Sequence, residues 1–424
     1  MITTLKSLKL EDILLISFPL FLLSGPFLTD LSIIIIDIIF LVKILKKEII
    51  LNLHKQIIYF FFFFFLTINA TAFFSDKVIF YLLESLPFAR FLIFPFALAY
   101  FLNKKIASKY KKILLIIFLA LFIDSIFEVV TGKGLSGSLL VGNRPSSLFF
   151  DEHILGSYSI RLLSFLIPMI IIANQKFDET FSLICFLSIL LIIMSKERVS
   201  ILYLIIYLIN ICIVLYKMKI NKNSIIKLII VSILSSMLIY VIDGTNIQKR
   251  FNQTVNEMRG NDTYFDNEII LNKKYKIFDK YYIFSSTHHN YLLTSFNIFK
   301  NNHFFGAGVK SYRFECKKPE NNINNDSCST HPHNTYMQLL SEVGIFGTMP
   351  VLVLFMFSLI HYFKIFLNYR NKKNYLKNIF FILPIIISLF PLIPAGNIFN
   401  NYMASFYSFS LGIFIYYLTK IKKN

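Results

Sequence analysis

The chain has 424 residues, of which 56% are hydrophobic and 48 are phenylalanine, and its mean hydropathy is +0.63. No water-soluble fold needs that much apolar surface, and apolar runs long enough to span a bilayer recur along the sequence. The formal net charge of +19 is distributed over many short connections, which argues against a nucleic-acid-binding surface.

The sequence predicts an all-α polytopic membrane protein with twelve transmembrane helices. We expect these spans at 12–28, 31–45, 57–74, 86–102, 113–130, 155–173, 180–194, 199–216, 225–242, 337–363, 379–393 and 398–419. The termini and the even-numbered connections carry most of the basic residues, whereas the short connections on the other side carry few: Lys77, Lys133, Arg144, Lys196 and Arg198. By the positive-inside rule, both termini are therefore expected to be cytoplasmic.

Four regions follow from this pattern. They are N-terminal membrane helices at 1–130, membrane helices with external arginine-bearing loops at 131–242, an external loop domain at 243–336, and C-terminal membrane helices at 337–424. The loop domain is long and rich in aromatic residues, so we expect it to be ordered. It contains Cys316 and Cys328, which an oxidising compartment allows to pair; the alternative is two free thiols.

Arginine and lysine are distributed differently in this chain. Lysine is the common cation, and only one arginine, Arg370, falls on the predicted cytoplasmic side. The remaining arginines fall on the external half: Arg90, Arg144, Arg161, Arg198, Arg250, Arg259 and Arg313. A guanidinium binds phosphate through two hydrogen bonds at once and keeps its charge, so the pattern predicts an external cationic pocket for a lipid-linked phosphate.

Two of these arginines, Arg90 and Arg161, lie inside apolar runs, where a charge usually faces a cavity or a partner. The alternative is that some of the arginines only reach the headgroups or pair with a nearby carboxylate: Glu84, Asp151 or Glu152. The tight turn MSKERVS at 194–200 keeps Arg198 near the membrane surface, where it could clamp a diphosphate. The alternative for Arg198 is an ion pair with Glu197.

The stretch HPHNTYMQLLSEVGIFG at 331–347 begins where a polar segment ends and a hydrophobic helix starts. Asn334 is a favourable N-cap for that helix, which would hold His333 at its entrance. A neutral imidazole with a pKa near 6.5 suits a general base. The alternative is that His333 only caps or packs, and His331 is a second candidate for the role.

Small residues follow in the same helix. Ser341, Gly344 and Thr348 share one face, with Gly347 beside it, so we expect another span to pack closely there. No Walker motif, DxD triplet or HExxH motif occurs in the sequence. Their absence removes the simplest nucleotide-hydrolysis, metal-dependent sugar-transfer and zinc-protease interpretations.

The spacing H-N-x9-G-x-x-G, on His333, Asn334, Gly344 and Gly347, resembles the signature of the O-antigen ligase and O-antigen polymerase superfamily. Further segments resemble other motifs of that family: NRPSSLFFDEHILGSY at 143–158, SKERVS at 195–200 and HFFGAGVKSYR at 303–313. The resemblance covers about 140–360 in motifs and the whole chain in predicted topology.

The resemblance implies glycosyl transfer, without metal or other cofactor, at the periplasmic face of a bacterial inner membrane. The donor would be a glycan on undecaprenyl diphosphate. The acceptor would be a sugar hydroxyl, on lipid A–core for a ligase or on another lipid-linked glycan for a polymerase. His333 would take the acceptor's proton, and arginines would bind the diphosphate, in this order of preference: Arg198, Arg144, Arg313, Arg161 and Arg90.

The local motif does not separate ligase from polymerase, although the H-N-x9-G-x-x-G spacing fits ligases closely and favours that reaction. A third hypothesis, from another class, is a transporter of the same lipid. A transporter would place ionisable residues near mid-membrane in several spans, or show inverted repeats. The sequence offers mainly Asp37 and Asp124 at depth, so a reaction at one surface is favoured.

Overall fold

A computed structural model describes residues 8–49, 55–150, 152–217, 222–259, 285–324, 327–368 and 373–421. Within these ranges the chain is helical and forms no strand, and its β pairing is limited to two isolated bridges between 133 and 144. The predicted all-α class is therefore confirmed. Asp151 and Arg370, which the sequence analysis named, lie outside the described residues.

Fifteen α-helices are described in chain order. They are α1 Leu10–Leu23, α2 Pro26–Leu45, α3 Lys55–Ala70, α4 Val78–Ser85, α5 Ala89–Phe101, α6 Lys104–Thr131, α7 Leu155–Ala173, α8 Glu179–Met194, α9 Arg198–Lys217, α10 Lys222–Arg259, α11 Ser286–Asn301, α12 Tyr312–Glu315, α13 Thr335–Asn368, α14 Leu383–Ser388 and α15 Asn401–Tyr416. Short 3₁₀ segments lie at Thr71–Phe74, Leu86–Phe88, Ser147–Phe149 and Lys373–Phe381, and α15 continues into a π turn at Tyr417–Ile421.

Six helical stretches in the described part of the chain are long and apolar enough to cross a membrane: Lys55–Phe74, Val78–Phe101, Lys104–Thr131, Leu155–Ala173, Arg198–Lys217 and Thr335–Asn368. A seventh is added if the two parts of α10, bent by 96°, form one span. Helix α8 and the stretch Tyr375–Ser388 are apolar but shorter. These helices fit a multi-pass membrane protein, and the count of twelve spans stays a prediction.

Two predicted spans differ from the observed helices. The span expected at 379–393 is a 3₁₀ segment followed by the short helix α14, and an irregular loop runs from there to α15. Pro391 and Pro394 lie in that loop and cannot donate the backbone hydrogen bonds that would continue a helix. The span expected at 225–242 continues to Arg259, but the chain turns at Asp243, whose φ and ψ are −144° and 22°.

The core of the bundle surrounds α7. This helix is the most enclosed of the spanning stretches, because 83% of its apolar 18-residue stretch is buried. Phe18 of α1 stacks on Phe94 of α5 and Phe409 of α15, with ring centroids 5.4 and 4.9 Å apart. The hydroxyl of Tyr158 donates to the Pro19 carbonyl at 2.7 Å. Because lipid is as apolar as these side chains, close packing and buried hydrogen bonds hold such helices together.

The two ends of the bundle carry different ion pairs. At one end, called the lysine end, the pairs are Lys43–Glu11 at 2.9 Å, Lys105–Asp12 at 3.8 Å and Lys111–Asp178 at 2.6 Å. At the other end, called the histidine end, they are Arg90–Asp30, Lys196–Asp243, Arg198–Glu257 and Lys310–Glu84. The histidine end contains the start of α13, the turn before Arg198, and the segment that carries Lys310.

Candidate functional site

Helix α13 is broken at Gly344, whose φ of 64° and ψ of −165° are not helical. The segment 303–308 docks on the break through its backbone. The Ile345 N–H donates to the His303 carbonyl, and the Gly308 N–H donates to the Glu342 carbonyl, both at 2.9 Å. The polar groups freed by the break thereby find partners, as a membrane protein requires.

This docking requires glycine on both sides. A Cβ on Gly344 would overlap the carbonyl of Phe304, and one on Gly306 would overlap the backbone of Glu342. The prediction that Gly344 lies on a continuous helix face, available to another span, is therefore wrong. Gly344 interrupts the helix, and the segment 303–308 approaches α13 at this break. Gly347 lies in the helical part beyond the break.

A buried carboxylate, Glu342, reinforces the docking, and the sequence analysis did not identify it. Glu342 is fully buried and accepts the N–H groups of Lys310 at 3.0 Å and Tyr312 at 3.2 Å. It also accepts the side-chain amide of Gln338 at 2.9 Å. Because these contacts fix the 310–312 backbone against α13, they also fix the direction from which Arg313 approaches the site.

A sequence signal for this network exists. Gln338 and Glu342 are four residues apart in an otherwise apolar helix, so they share a face, and polar side chains there need partners. The partner of Gln338 is the loop before α15: its amide donates to Asn397 at 2.7 Å, and its carbonyl accepts the Ile398 N–H at 3.1 Å.

The same loop holds His333 in place. Asn334 caps α13 because its Oδ1 accepts the N–H groups of Tyr336 and Met337, both at 3.1 Å. Its amide donates to the Pro391 carbonyl at 2.8 Å. His333 has a positive φ of 54°, and its carbonyl accepts the Ala395 N–H at 2.8 Å. The backbone at His333 and Asn334 is thus held against this loop.

Three histidines and a tyrosine form a cluster at this point. The ring centroid of His333 lies 4.1 Å from that of His331, 5.3 Å from that of Tyr291 and 5.6 Å from that of His288. Its Nε2 lies 3.3 Å from the Ser329 hydroxyl. His288 and Tyr291 come from α11, and no local sequence pattern shows that this helix packs on α13.

Burial makes these imidazoles weak bases. It lowers the pKa of His333 to about 3, and His331 and His288 contribute further lowering. It lowers the pKa of His331 to about 4, a shift that the Ala395 carbonyl opposes and Arg313 increases. It also lowers the pKa of His288, which Glu257 opposes and Arg198 increases. All three rings are therefore neutral at neutral pH.

Arg198 begins α9 and is bound by a carboxylate. Its Nη2 donates to Glu257 Oε1 at 3.0 Å, and its Nη1 donates to Glu257 Oε2. The alternative pairing with Glu197 is not formed. Glu197 instead accepts the N–H groups of Gly156 at 2.7 Å and Ser157 at 2.9 Å, at the start of α7, where a helix favours an anion.

Arg144 lies close to Arg198. Its Nε donates to the Ser195 carbonyl at 3.1 Å. Burial lowers the pKa of Arg144, the charge of Glu197 opposes that shift, and the charge of Arg198 adds to it. The charges of both arginines also lower the pKa of Arg250 of α10. Three guanidinium groups therefore converge at the ends of α8 and α9.

The other predicted arginines are held differently. Arg313 is half-buried, and its charge acts on His331 and Glu342. Arg161 is buried in α7, where it donates to the Ser157 carbonyl at 3.0 Å and lies 5.6 Å above the Phe406 ring.

Arg90 is committed to a structural contact. It donates to Asp30 of α2, to the Pro87 carbonyl and to Asn401 of α15, the last at 3.2 Å, and it lies over the Phe91 ring. These bonds tie three helices together.

Cys316 and Cys328 form a disulfide whose Cα atoms are 5.2 Å apart. It links α12 to the segment that carries Ser329, which touches His333. Cys185 is buried in α8 and Cys212 lies in α9, both as free thiols. In the described ranges, no three histidine, cysteine or acidic side chains are arranged to hold a metal ion.

The contacts connect the histidines with two arginines. The His288 ring contacts the His333 ring, and the charge of Arg198 lowers the pKa of His288. The charge of Arg313 lowers the pKa of His331. Neutral imidazoles and guanidinium groups thus share one end of the bundle. Such a site can bind a polyanion and accept a proton next to it.

The comparison with protein families agrees with this geometry. Residues 183–352 match the model of the O-antigen ligase family, a segment that includes Arg198, Arg313, His333, Gly344 and Gly347. No curated protein matches the chain. The match supports a membrane glycan-transfer function in O-antigen or polysaccharide biosynthesis, and it shows that residues 183–352 are similar to the O-antigen ligase family.

Proposed function

We propose that the protein is an O-antigen ligase that transfers a glycan from undecaprenyl diphosphate to a sugar hydroxyl of lipid A–core at the periplasmic face of the inner membrane. The observation that carries the proposal is the position of His288, which contacts the His333 ring and feels the charge of Arg198. A candidate base and a candidate diphosphate ligand therefore belong to one site.

In the proposed reaction the acceptor hydroxyl oxygen attacks the anomeric carbon of the glycan. The bond from that carbon to the diphosphate oxygen breaks, and its electron pair leaves with the diphosphate. The hydroxyl proton moves to the imidazole of His333. Since a diphosphate is a good leaving group, it needs charge compensation more than a proton, and preorganised cations supply that compensation.

Donor binding strengthens the base in this scheme. Burial holds the pKa of His333 at about 3, so the ring is neutral and able to accept a proton. A diphosphate placed beside the ring adds negative charge, which favours the protonated imidazole and raises its pKa. Proton transfer is thus promoted only when the donor is in place.

Arg198, Arg144 and Arg313 are the proposed diphosphate ligands. The charge of Arg198 acts on His288 and that of Arg313 acts on His331. The Nε atoms of Arg198 and Arg313 have no hydrogen-bond partner among the described residues. The Nε of Arg161 also has no hydrogen-bond partner in the described part of the chain, and this residue would line the deeper part of the site, nearer the lipid chain. Arg90 is the weakest candidate because its hydrogen bonds are used within the fold.

The proposal is tested by deleting the protein and separating the cell's lipopolysaccharide on a gel. A ligase predicts lipid A–core without polymer, together with accumulated lipid-linked polymer. Core that carries a single repeat would instead assign the protein as a polymerase with the same chemistry. Unchanged lipopolysaccharide would remove both assignments.

Metal independence is tested with the purified full-length protein, an undecaprenyl-diphosphate-linked glycan and lipid A–core. We expect transfer to continue in EDTA, because guanidinium groups replace the metal that many glycosyltransferases use on a diphosphate. Loss of activity in EDTA that added Mg²⁺ or Mn²⁺ restores would contradict this part of the proposal.

A further inference from the structure

Glu257 occupies the guanidinium fork that the proposed function assigns to the donor. Both of its carboxylate oxygens are bound by Arg198, in the bidentate geometry that a phosphate would also adopt. The Glu257 side chain is only 10% exposed. A carboxylate of this chain therefore occupies the position where a phosphate is expected.

Glu257 also lies beside the histidine cluster. Its charge acts on His288, whose Nδ1 is 2.9 Å from the Ser285 hydroxyl. The other charged or titratable groups facing His288 are Arg198 of α9, Tyr291 of its own helix, and two imidazoles from the segment before α13, His331 and His333. Among these groups Glu257 carries the only negative charge in the described structure, so its position sets how readily His288 is protonated.

The helix that carries Glu257 is attached through a bend. The chain turns by 96° at Asp243, which pairs with Lys196 in the turn between α8 and α9. Asn246 strengthens this anchor through a 3.2 Å hydrogen bond from Asn143. The anchor holds the start of the outer helix, whereas Glu257 lies near its far end. A rotation about the bend therefore moves Glu257 away from Arg198 without breaking the anchor.

We propose that Glu257 couples donor binding to proton transfer, an inference that rests on the proposed function. Without donor, Glu257 neutralises Arg198. When the diphosphate binds the guanidinium of Arg198, Glu257 is displaced, and its negative charge then stabilises the protonated form of His288. Glu257 is a positioning residue, because it touches neither the donor nor the acceptor.

The charge and proton balance of this step is complete. The diphosphate replaces the carboxylate on Arg198, so the cation stays paired. The proton that leaves the acceptor hydroxyl goes to His333, passes to His288, and is stabilised there by ionised Glu257 until water removes it. No electron transfer and no further reactant are needed.

The test uses the full-length protein in lipid nanodiscs and the variant Glu257→Gln, which keeps the shape and removes the charge. We expect undecaprenyl diphosphate to bind about tenfold more tightly, which corresponds to about 1.4 kcal/mol, because its competitor is gone. We expect kcat to fall about tenfold, and the acid limb of the kcat–pH profile to move to lower pH, since the pKa of His288 falls.

The matched control is Asn256→Ala, an exposed position on the same helix, which should leave all these constants unchanged. The double variant Arg198→Lys/Glu257→Gln should show no gain in binding over Arg198→Lys, because the competition acts through Arg198. A Glu257→Gln variant with wild-type donor affinity or with a wild-type pH profile would overturn the inference.

A second measurement needs no variant. Adding undecaprenyl diphosphate to the wild-type protein should increase amide hydrogen exchange in residues 250–259, because their contact with Arg198 is released. Unchanged exchange in a protein that transfers glycan would refute only the coupling. A wild-type protein that neither binds the lipid diphosphate nor transfers glycan would refute the proposed function itself.

Discussion

The lysine end and the histidine end of the bundle both collect positive charge, but they use it differently. At the lysine end Lys111 donates to Asp178 at 2.6 Å and to the Lys176 carbonyl at 3.2 Å, so its charge is matched locally. At the histidine end Arg198 and Arg313 keep an Nε atom without a partner in the part of the chain that is described. The lysine at the first end makes its hydrogen bonds within the fold, whereas the two arginines at the second end keep a donor for a ligand.

The histidine end is itself divided. Arg90 behaves like the cations of the lysine end, because Asp30, Asn401 and a carbonyl use its donors. Arg198 is paired too, but its partner belongs to a helix hinged at Asp243. The comparison teaches that an arginine at the histidine end is a functional candidate only when its partner can leave or its donors are incomplete.

The largest effect is expected from His333→Ala. Loss of a general base lowers the rate by about 10²- to 10⁴-fold, so glycan transfer should be abolished while the protein still inserts in the membrane. The control is His303→Ala, an exposed histidine whose backbone, not its ring, supports α13. Transfer assays with the purified proteins measure both, and near-normal activity of His333→Ala would remove this residue from the mechanism.

A smaller effect is expected from Gly344→Ala. The new Cβ would overlap the Phe304 carbonyl, and the positive φ is itself unfavourable for alanine, by about 1–3 kcal/mol. We expect a lower thermal unfolding temperature and reduced transfer, because the 303–308 segment no longer docks. The comparison variant is Gly347→Ala, where the decrease should be smaller, because its φ is not positive and its new Cβ would overlap only the Val343 side chain and no backbone atom. Equal unfolding temperatures would contradict the assigned role of the break.

Exchanging the two cation types tests the comparison directly. Arg198→Lys keeps the charge and removes the fork, so we expect the KM for the lipid-linked donor to rise about tenfold. Lys111→Arg, at the lysine end, should leave KM and kcat unchanged because Asp178 accepts either cation. If the two variants behaved alike in steady-state assays, the functional distinction between the two ends would be lost.

The smallest effect is a pH dependence of stability. The pKa values of His333 and His331 in the folded protein, about 3 and about 4, lie below the unfolded value of 6.5. The unfolded chain therefore binds more protons below pH 6.5, and stability is lost as the pH falls, by up to about 1 kcal/mol per histidine between pH 6.5 and 5.5. His333→Asn should flatten the decline in unfolding temperature over that interval; an identical decline would contradict the assignment.

Features encoded in short stretches of sequence could be predicted. The apolar runs gave the helical membrane class, and the cap at Asn334 follows from its place between a polar segment and an apolar run. The concentration of arginines on one half pointed to the end where Arg144, Arg198 and Arg250 meet. Each of these inferences needs only composition or neighbouring residues.

Contacts between distant segments could not be predicted. Glu257 lies 59 residues from Arg198, and residues 258–287 separate it from His288, so no local pattern pairs these groups. Gly344 was assigned to helix packing because glycine serves both close packing and positive φ. Only the docked 303–308 segment distinguishes the two uses.

The sequence by itself determined that this chain is a helical membrane protein with an H-N-x9-G-x-x-G signature, because hydropathy and motif spacing are local properties. The tertiary structure decided which carboxylate binds Arg198, which histidines surround His333 and why α13 is broken. Those choices depend on buried polar groups finding partners across the fold. That requirement is satisfied only when α9, α10, α11 and α13 are brought together.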